Sequence, residues 1–267
     1  MSTIKHMLGK LIPERIRPAV RAAISRYQDR GFKPYVKKMK ADDLSFDFWI
    51  SDHVGQTWYE GGWFSPEARF LRDTMVKPGD VVFECGAHQG CHTVLCSHWV
   101  GTSGRVVAFE MLPRNADAVQ KNIELNHLVN VVLEKKAVGS SAGKALITDE
   151  SNSHVLSGKG KGIEVETTYL DLYAHLNPTL LKIDVEGFEV EVLKGASHIL
   201  SKRPKLAIEI HTEHLKNYRT SVDEVFNLIR SDGYTIWIQW DDTKMPELWN
   251  GKQSITKRAH LFALPRD

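Results

Sequence analysis

No apolar run in the chain approaches the roughly 18 residues that a membrane-spanning helix needs, which excludes an integral helical membrane protein. The first residues carry charge throughout and have no apolar h-region, so no secretory signal is expected. Cysteine is scarce. Cys85, Cys91 and Cys96 crowd into twelve positions, and their odd number fits a reducing compartment, the cytoplasm, better than a disulfide framework. Internal repeats, low-complexity tracts, a P-loop and the G-x-G-x-x-G of a dinucleotide site are all missing. What remains is 267 residues with 42% hydrophobic and 25% charged side chains, an ordinary globular composition with room for one large α/β domain or two small ones.

The net charge of +2 conceals an asymmetry. Residues 1–40 hold eleven Lys and Arg against Glu14 and Asp29, leaving 24 basic and 31 acidic residues for the rest, so an arm of +9 precedes a body of −7. Within the arm, Ile4, Leu8, Leu11 and Ile12, then Ile16, Val20, Ala23 and Ile24, fall at spacings of three and four, interrupted at Pro13 and Pro18. This predicts a basic helical arm and cap over 1–57, packed on a domain of 58–267, with a weak contact to the inner membrane surface as a second use of the basic face.

From Val76 onward short β-rich runs alternate with helical stretches: Val81 to Phe83, a helix to Trp99, Arg105 to Glu110, a helix from Pro113 to about His127, and Val131 to Val138. Ser140 to Tyr169 is dense in Ser and Gly and reads as a strand or two around a flexible loop. Strands follow at Leu180 to Asp184, Leu206 to Ile210, Thr235 to Trp240 and His260 to Leu264, with helices over Glu189 to Leu200 and 221–231. Such alternation predicts a mostly parallel, doubly wound sheet of seven strands.

In that architecture ligands bind at the carboxyl ends of the strands. The turn after the first strand reads Glu84-Cys85-Gly86-Ala87-His88-Gln89-Gly90, with glycines that let a ligand approach the main chain. Glu110 ends the second strand, 20 residues after Gly90, where an acid accepts hydrogen bonds from ribose hydroxyls. A strand-end acid without phosphate-binding machinery points to an adenosine cofactor with a cationic tail, and S-adenosylmethionine fits, with Glu84 attracting its ammonium. The candidate cofactor contacts are Glu84, Gly86, Ala87, His88, Gly90, Glu110, the adjoining Met111, and Ala137 in the third strand.

These residues resemble the FkbM family of S-adenosylmethionine-dependent methyltransferases over about Trp58 to Leu264. The likeness rests on Lys77-Pro78-Gly79-Asp80 leading into the Glu84 to Gly90 turn, Val107 to Glu110, Lys121-Asn122-Ile123-Glu124-Leu125-Asn126, and Leu181-Lys182-Ile183-Asp184-Val185-Glu186-Gly187-Phe188-Glu189. The family usually has Asp-x-Gly-Ala-Asn where Glu84 to His88 stand, and Pro where Met111 stands. The resemblance implies a Rossmann-like class I methyltransferase that O-methylates a small molecule, glycan or lipid-linked sugar.

Methyl transfer to an alcohol needs alignment and somewhere for the proton to go. Asp184, at the end of the fourth strand, is the candidate base or cation ligand, with Glu186 as its helper and Gly187 allowing a sharp turn. Glu209 and His211 share one face of the next strand, which makes His211 a rival base. Asp184, Glu209 and His211 together are a candidate Mg²⁺ site. For the acceptor, the aromatic stretch Trp58 to Glu67 offers Trp63 as a stacking platform and Glu60 as a hydroxyl ligand, with Glu209 opposite. The acidic body favours a neutral, hydroxyl-rich acceptor over nucleic acid. A non-catalytic cofactor- or glycan-binding module of the same fold is the alternative.

Overall fold

Runs rich in β-branched and aromatic residues, bounded by glycine and polar turns, fold as strands here as expected. The computed structural model describes residues 30–61, 64–156 and 162–266. Most of the basic arm, and Trp63, lie outside the described residues. The chain begins with β1 (Tyr35–Ala41), β2 (Leu44–Ile50), α1 (His53–Tyr59) and α2 (Pro66–Phe70), which runs into a π turn at Leu71–Met75. Then come β3 (Val81–Cys85), α3 (Cys91–Val100), β4 (Arg105–Phe109), α4 (Pro113–Leu125), β5 (Val131–Glu134), β6 (Ala137–Val138), β7 (Gly143–Ile147) and β8 (Ile163–Thr168). The second half has β9 (Leu180–Ile183), α5 (Glu189–Lys194), α6 (Ser197–Ser201), β10 (Lys205–Ile210), α7 (Thr212–Leu215), α8 (Val222–Ile229), β11 (Tyr234–Gln239), β12 (Glu247–Leu248) and β13 (Ala259–Pro265).

The large sheet has the order β12-β11-β13-β10-β9-β3-β4-β5. Strands β5, β4, β3, β9 and β10 run parallel, and β13 lies antiparallel between β10 and β11. The seven expected strands are joined by an eighth, the two-residue β12 at the edge. The strand order reverses between β3 and β9, which fixes where a ligand crevice opens.

One sheet face is apolar through its centre: Phe83, Leu181, Ile183, Leu206, Ile208, Leu261 and Ile236 pack under α5 and α8. Each such side chain contributes about 1.5–3 kcal/mol by burial. The opposite face is covered at its amino end by Phe70, Leu71 and Met75 of α2 and the π turn. All three cysteines are buried free thiols.

Three local outcomes differ from expectation. The run Val131 to Val138 is broken where Lys136 N donates to Glu134 O, so β6 leaves the main sheet and joins β7 and β8 in a three-stranded sheet of order β6-β8-β7. The helix expected over Glu189 to Leu200 divides at Gly195, whose carbonyl accepts from Asp171 N and whose missing Cβ would lie 2.1 Å from Gly139 O. Asp171 then accepts from His198 N and Ile199 N and starts α6.

The third is the β1–β2 hairpin, where no strand was expected. Its inner residues Met39, Phe46, Phe48 and Ile50 pack on Tyr59 and on Cys91, Val94 and Leu95 of α3. The free edge of β2 is satisfied by side-chain amides one turn apart on α4. Trp49 N donates to Asn122 Oδ1 (2.6 Å) and Asp47 N to Asn126 Oδ1 (3.1 Å), while Asn126 Nδ2 returns a bond to Asp47 O (2.7 Å). Asn122 Nδ2 also reaches Gln89 O in the glycine turn (2.8 Å). The two asparagines thus stand in for a neighbouring strand. Asn122 is fully buried, so Asn122→Ala strands several backbone groups and should destabilise the fold by about 2–3 kcal/mol, a fall in Tm of roughly 5–10 °C by thermal unfolding. An unchanged Tm contradicts the bridging role.

Candidate active site

Strand register gathers the polar residues of otherwise apolar strands into one stripe. Glu84 pairs with Lys182, Glu209 with His260, and His260 with Gln239, and Asp184 lies two residues beyond Lys182 on the same face. All six line a cleft of about 1560 Å³ at the carboxyl edge of the sheet. A second, smaller cavity adjoins it and is lined by Gly86, Phe109, Glu110, Met111, Ala137 and Val138 among others. The two share Trp58, Gly86, His88, Asn152, Asp184 and Glu186. They meet at the switch in strand order.

Gly86 has φ +86°, and a Cβ there would lie 1.8 Å from Asp184 O, so only glycine lets the β3 turn rest on the end of β9. Glu110 is buried with both oxygens engaged, accepting from His88 N and Leu112 N at 2.8 Å each. Burial pushes its carboxyl up to about 7. Glu84 is also buried; its Oε2 accepts from Thr93 Oγ1 at 2.5 Å, and desolvation carries it to about 7 against the pull of Lys182.

His88 stands in the left-handed region (φ +53°), which histidine and asparagine tolerate better than most residues. Its Nδ1 meets Tyr59 Oη at 2.8 Å and its Nε2 meets Ser151 Oγ at 2.9 Å. Ser151 Oγ donates to Asp52 Oδ2, whose other oxygen accepts from Gln89 Nε2 and, as the cap of α1, from Gly55 N. One imidazole therefore joins α1, the glycine turn and the segment after β7.

Beyond β9 the chain turns through Glu186 and Gly187, both at positive φ, and returns in α5. Glu189 is fully buried and accepts from Gly187 N and from His211 Nδ1 (2.8 Å). His211 Nε2 then faces Glu209 (3.4 Å), Glu186 (3.5 Å) and Asp184 (4.0 Å). Although burial opposes its charge, bonds to Glu189 and Glu209 and the charge of Asp184 push His211 up to about 11. Burial, then Glu209, raises Asp184 well above the ordinary carboxylate range, with Lys182 and His211 pulling the other way. Ligand atoms of Asp184, Glu209 and His211 lie within 4.8 Å of one another.

Of the expected cofactor contacts, Gly86, His88, Glu110, Met111 and Ala137 line the smaller cavity. Glu84 and Ala87 line the cleft instead. Gly90 lines neither; it packs on Val119. Glu60 is exposed, bonded to Tyr35 Oη, and also lines neither. Asp184, Glu186, Glu209 and His211 do converge. Sequence reasoning missed Lys182, His260 and Arg258, although a lysine or histidine inside a buried strand is itself the signal. Arg258 hydrogen-bonds both Glu209 and Asp242, and His260 stands 3.4 Å from Asp242.

A mostly parallel sheet with the reversed strand β13 and the short reversed β12 towards its far edge, its crevice flanked by a glycine turn and a strand-end acid, defines the α/β fold of class I methyltransferases. Within that class the chain belongs to the FkbM methyltransferase domain family, whose model matches residues 84–236. It is 29% identical over 140 residues to the hexuronic acid methyltransferase AglP of Haloferax volcanii, covering 49% of this chain and 56% of that protein. The chain thus spans little more than half the length of this curated relative. Among solved structures it is similar to methyltransferase FkbM of Methylobacillus flagellatus KT (17% identity, 80% of this chain and 56% of that one, TM-score 0.49). It is also similar to an S-adenosylmethionine-dependent O-methyltransferase of Thermotoga maritima (12% identity, 86% and 79%, TM-score 0.43).

The His88 junction has a pH signature. Burial holds its imidazole down to about 4, so the folded chain keeps it neutral while the unfolded chain takes up a proton near 6.5. Its contribution to stability is complete above about pH 6.5 and is lost as pH falls towards 4. His88→Asn keeps the left-handed turn but cannot titrate. It should be less stable than wild type by about 2 kcal/mol at pH 8, and urea titration at pH 4.5 should find most of that gap gone. A gap independent of pH contradicts the neutral-imidazole junction.

Proposed function

We propose that this chain is an S-adenosylmethionine-dependent O-methyltransferase whose acceptor is a sugar hydroxyl. The observation that carries this reading is the meeting of the two cavities at Asp184: one holds the ribose acid and the other opens to an acceptor. Family membership supports the donor. The relative named for hexuronic acid supports a sugar, and Lys182, Arg258 and His260 among the carboxylates make the cleft mixed in charge rather than uniformly acidic. The +9 charge of residues 1–40 supports a cytoplasmic enzyme working beside an anionic membrane surface. Residues 58–267 are assigned as the catalytic unit with 1–57 as its arm and cap.

The smaller cavity suits the donor, since Gly86 offers bare backbone and Glu110 two acceptor oxygens at the strand end. When bound there, S-adenosylmethionine supplies an electrophilic methyl carbon on a sulfonium. Asp184 receives the proton of the acceptor hydroxyl as that oxygen attacks. A carboxylate raised by burial is a stronger base than an exposed one, and the cations Lys182 and His211 pull against that rise. His211 is charged at neutral pH, so it serves as a fixed cation and not as the rival base. The same three residues would hold Mg²⁺, but Arg258 is already on Glu209 and Lys182 stands 3.8 Å from Asp184, so their charge is offset without a metal. We assign Asp184 to proton transfer, with Glu209 and His211 as its charged neighbours.

The deciding experiment is transfer of radiolabelled methyl from S-adenosylmethionine to a panel of hexuronic acids and neutral hexosides, with and without EDTA. Asp184→Asn should lower transfer by about 10³-fold while leaving S-adenosylhomocysteine affinity within threefold; transfer at the wild-type rate removes Asp184 as the base, and loss of activity with EDTA restores the metal. The ribose contact has its own readout. Hydroxyl donors prefer an ionised acceptor, so affinity for uncharged 5′-methylthioadenosine should rise about tenfold from pH 6 to 8 as Glu110 ionises near 7, and Glu110→Gln should flatten the profile. A flat wild-type profile contradicts the assignment.

A further inference from the structure

Lys182 occupies the middle of β9, where its neighbours Leu180, Leu181 and Ile183 are fully buried, and is itself only 4% exposed. An ammonium carries three donors, and Nζ is not one of the buried polar atoms left without a partner, so its donors open on the cleft that Lys182 lines. The nearest partner of Nζ is Asp184 Oδ2 at 3.8 Å, beyond hydrogen-bond distance, and among the described residues Lys182 makes no hydrogen bond. Burial opposes its charge, but the fields of Asp184, Glu67, Glu84 and Glu209 outweigh that and hold it protonated. Its charge is therefore balanced within the protein while its hydrogen bonds are not. The side chain lies in the wall of the acceptor cleft, beside the residue assigned as base.

We propose that Lys182 and Asp184 together recognise a vicinal diol, Asp184 taking the proton of the reacting hydroxyl and Lys182 donating to the oxygen next to it. This rests on the methyltransferase reading and narrows its acceptor class. The reacting oxygen forms its bond to the methyl carbon as the carbon–sulfur bond breaks, the electron pair stays on sulfur, the proton goes to Asp184, and Lys182 keeps its own. An ammonium on the reacting oxygen itself would draw electron density from the nucleophile, which places it on the neighbour. The surrounding carboxylates disfavour an anionic group at this point, so the partner is a hydroxyl oxygen and an acceptor carboxylate sits elsewhere. The oxygens of a vicinal diol lie at about hydrogen-bond separation, which suits a donor and an acceptor 3.8 Å apart.

The test compares wild type, Lys182→Met and Lys182→Arg on methyl glucoside, methyl mannoside, glucuronic acid and galacturonic acid, and on the monodeoxy analogue lacking the hydroxyl beside the methylated one. Lys182→Met should lose roughly 100-fold in kcat/KM, with S-adenosylhomocysteine affinity within threefold. Deleting the neighbouring hydroxyl should cost wild type at least about tenfold and the variant less than threefold. Equal losses in both, or a variant within threefold of wild type, overturn the proposal. Should Lys182→Met fail to fold, Lys182→Arg decides: its preference for the intact diol should fall at least fivefold, and an unchanged preference overturns the assignment. If wild type methylates none of the panel, the sugar reading fails on its own. The Lys182 site is then read from ¹⁵N-lysine NMR of the S-adenosylhomocysteine complex, the resonance assigned by its loss in Lys182→Arg. Rapid proton exchange with water supports an ammonium open to the cleft, and a sharp, slowly exchanging signal overturns it.

Discussion

A lysine in the centre of a core strand obliges everything around it to be arranged for its charge. Lys182 is surrounded by Glu84 and Glu209 of the two neighbouring strands, Asp184 just past the end of its own strand, and Glu67 of α2. Remove the cation and four carboxylates face one another in a poorly solvated cleft; remove the carboxylates and an ammonium is buried alone. Either change leaves uncompensated charge, which costs far more than an intact network contributes. The cluster is therefore weak evidence for stability and strong evidence for use. The fold tolerates it because only the carboxyl half of one sheet face is involved; the amino half is closed by Phe70, Leu71 and Met75, and the centre of the other face is apolar.

A second constraint fixes the wall between the cavities. His88 takes a backbone conformation that would cost most side chains dearly, and its ring ties the glycine turn to two segments distant in sequence: α1, through Tyr59 and by way of Ser151 its Asp52 cap, and the stretch after β7 at Ser151. Asparagine, usual in the family at this place, also tolerates the turn but is too short to span both partners. The longer imidazole buys a direct tie between the N-terminal segment and the cavity mouth. Trp58, 45% exposed and 5.2 Å from the His88 ring, is held beside both cavities by the same tie.

What could be read from the chain beforehand follows from how local each signal is. The order of strands and helices from Val81 onward, Glu110 at a strand end and Asp184 after Lys182-Ile183 all depend on period and spacing within a few residues. The β1–β2 hairpin depends on side chains more than 70 residues away. Its lysines also made it look like part of the basic arm, because the apolar positions Met39 and Ala41 alternate with Lys38 and Lys40. The motif Lys121 to Asn126 was legible as a resemblance, but its physical content, amides acting as a strand edge, appears only once β2 lies against α4. Lys182 and His260 were in plain view as charged residues in buried strands; reading strand pairs by register would have set them beside Glu84 and Glu209.

The close approach at Gly86 explains why Asp184, the proposed base, lies where it does. With no Cβ in the way, the end of β3 rests on the carbonyl of Asp184, so the glycine turn of one cavity and the first residue past β9 are parts of one contact. In the proposed reading a donor over that turn would have its reactive end beside residue 184, and neither backbone can withdraw without opening the sheet at its switch point. Residues further along the stripe, Glu209 and His260, face the cleft alone. In the proposed reading, sequence change there alters what is recognised, whereas change at Gly86 or Asp184 alters whether the two reactants meet at all.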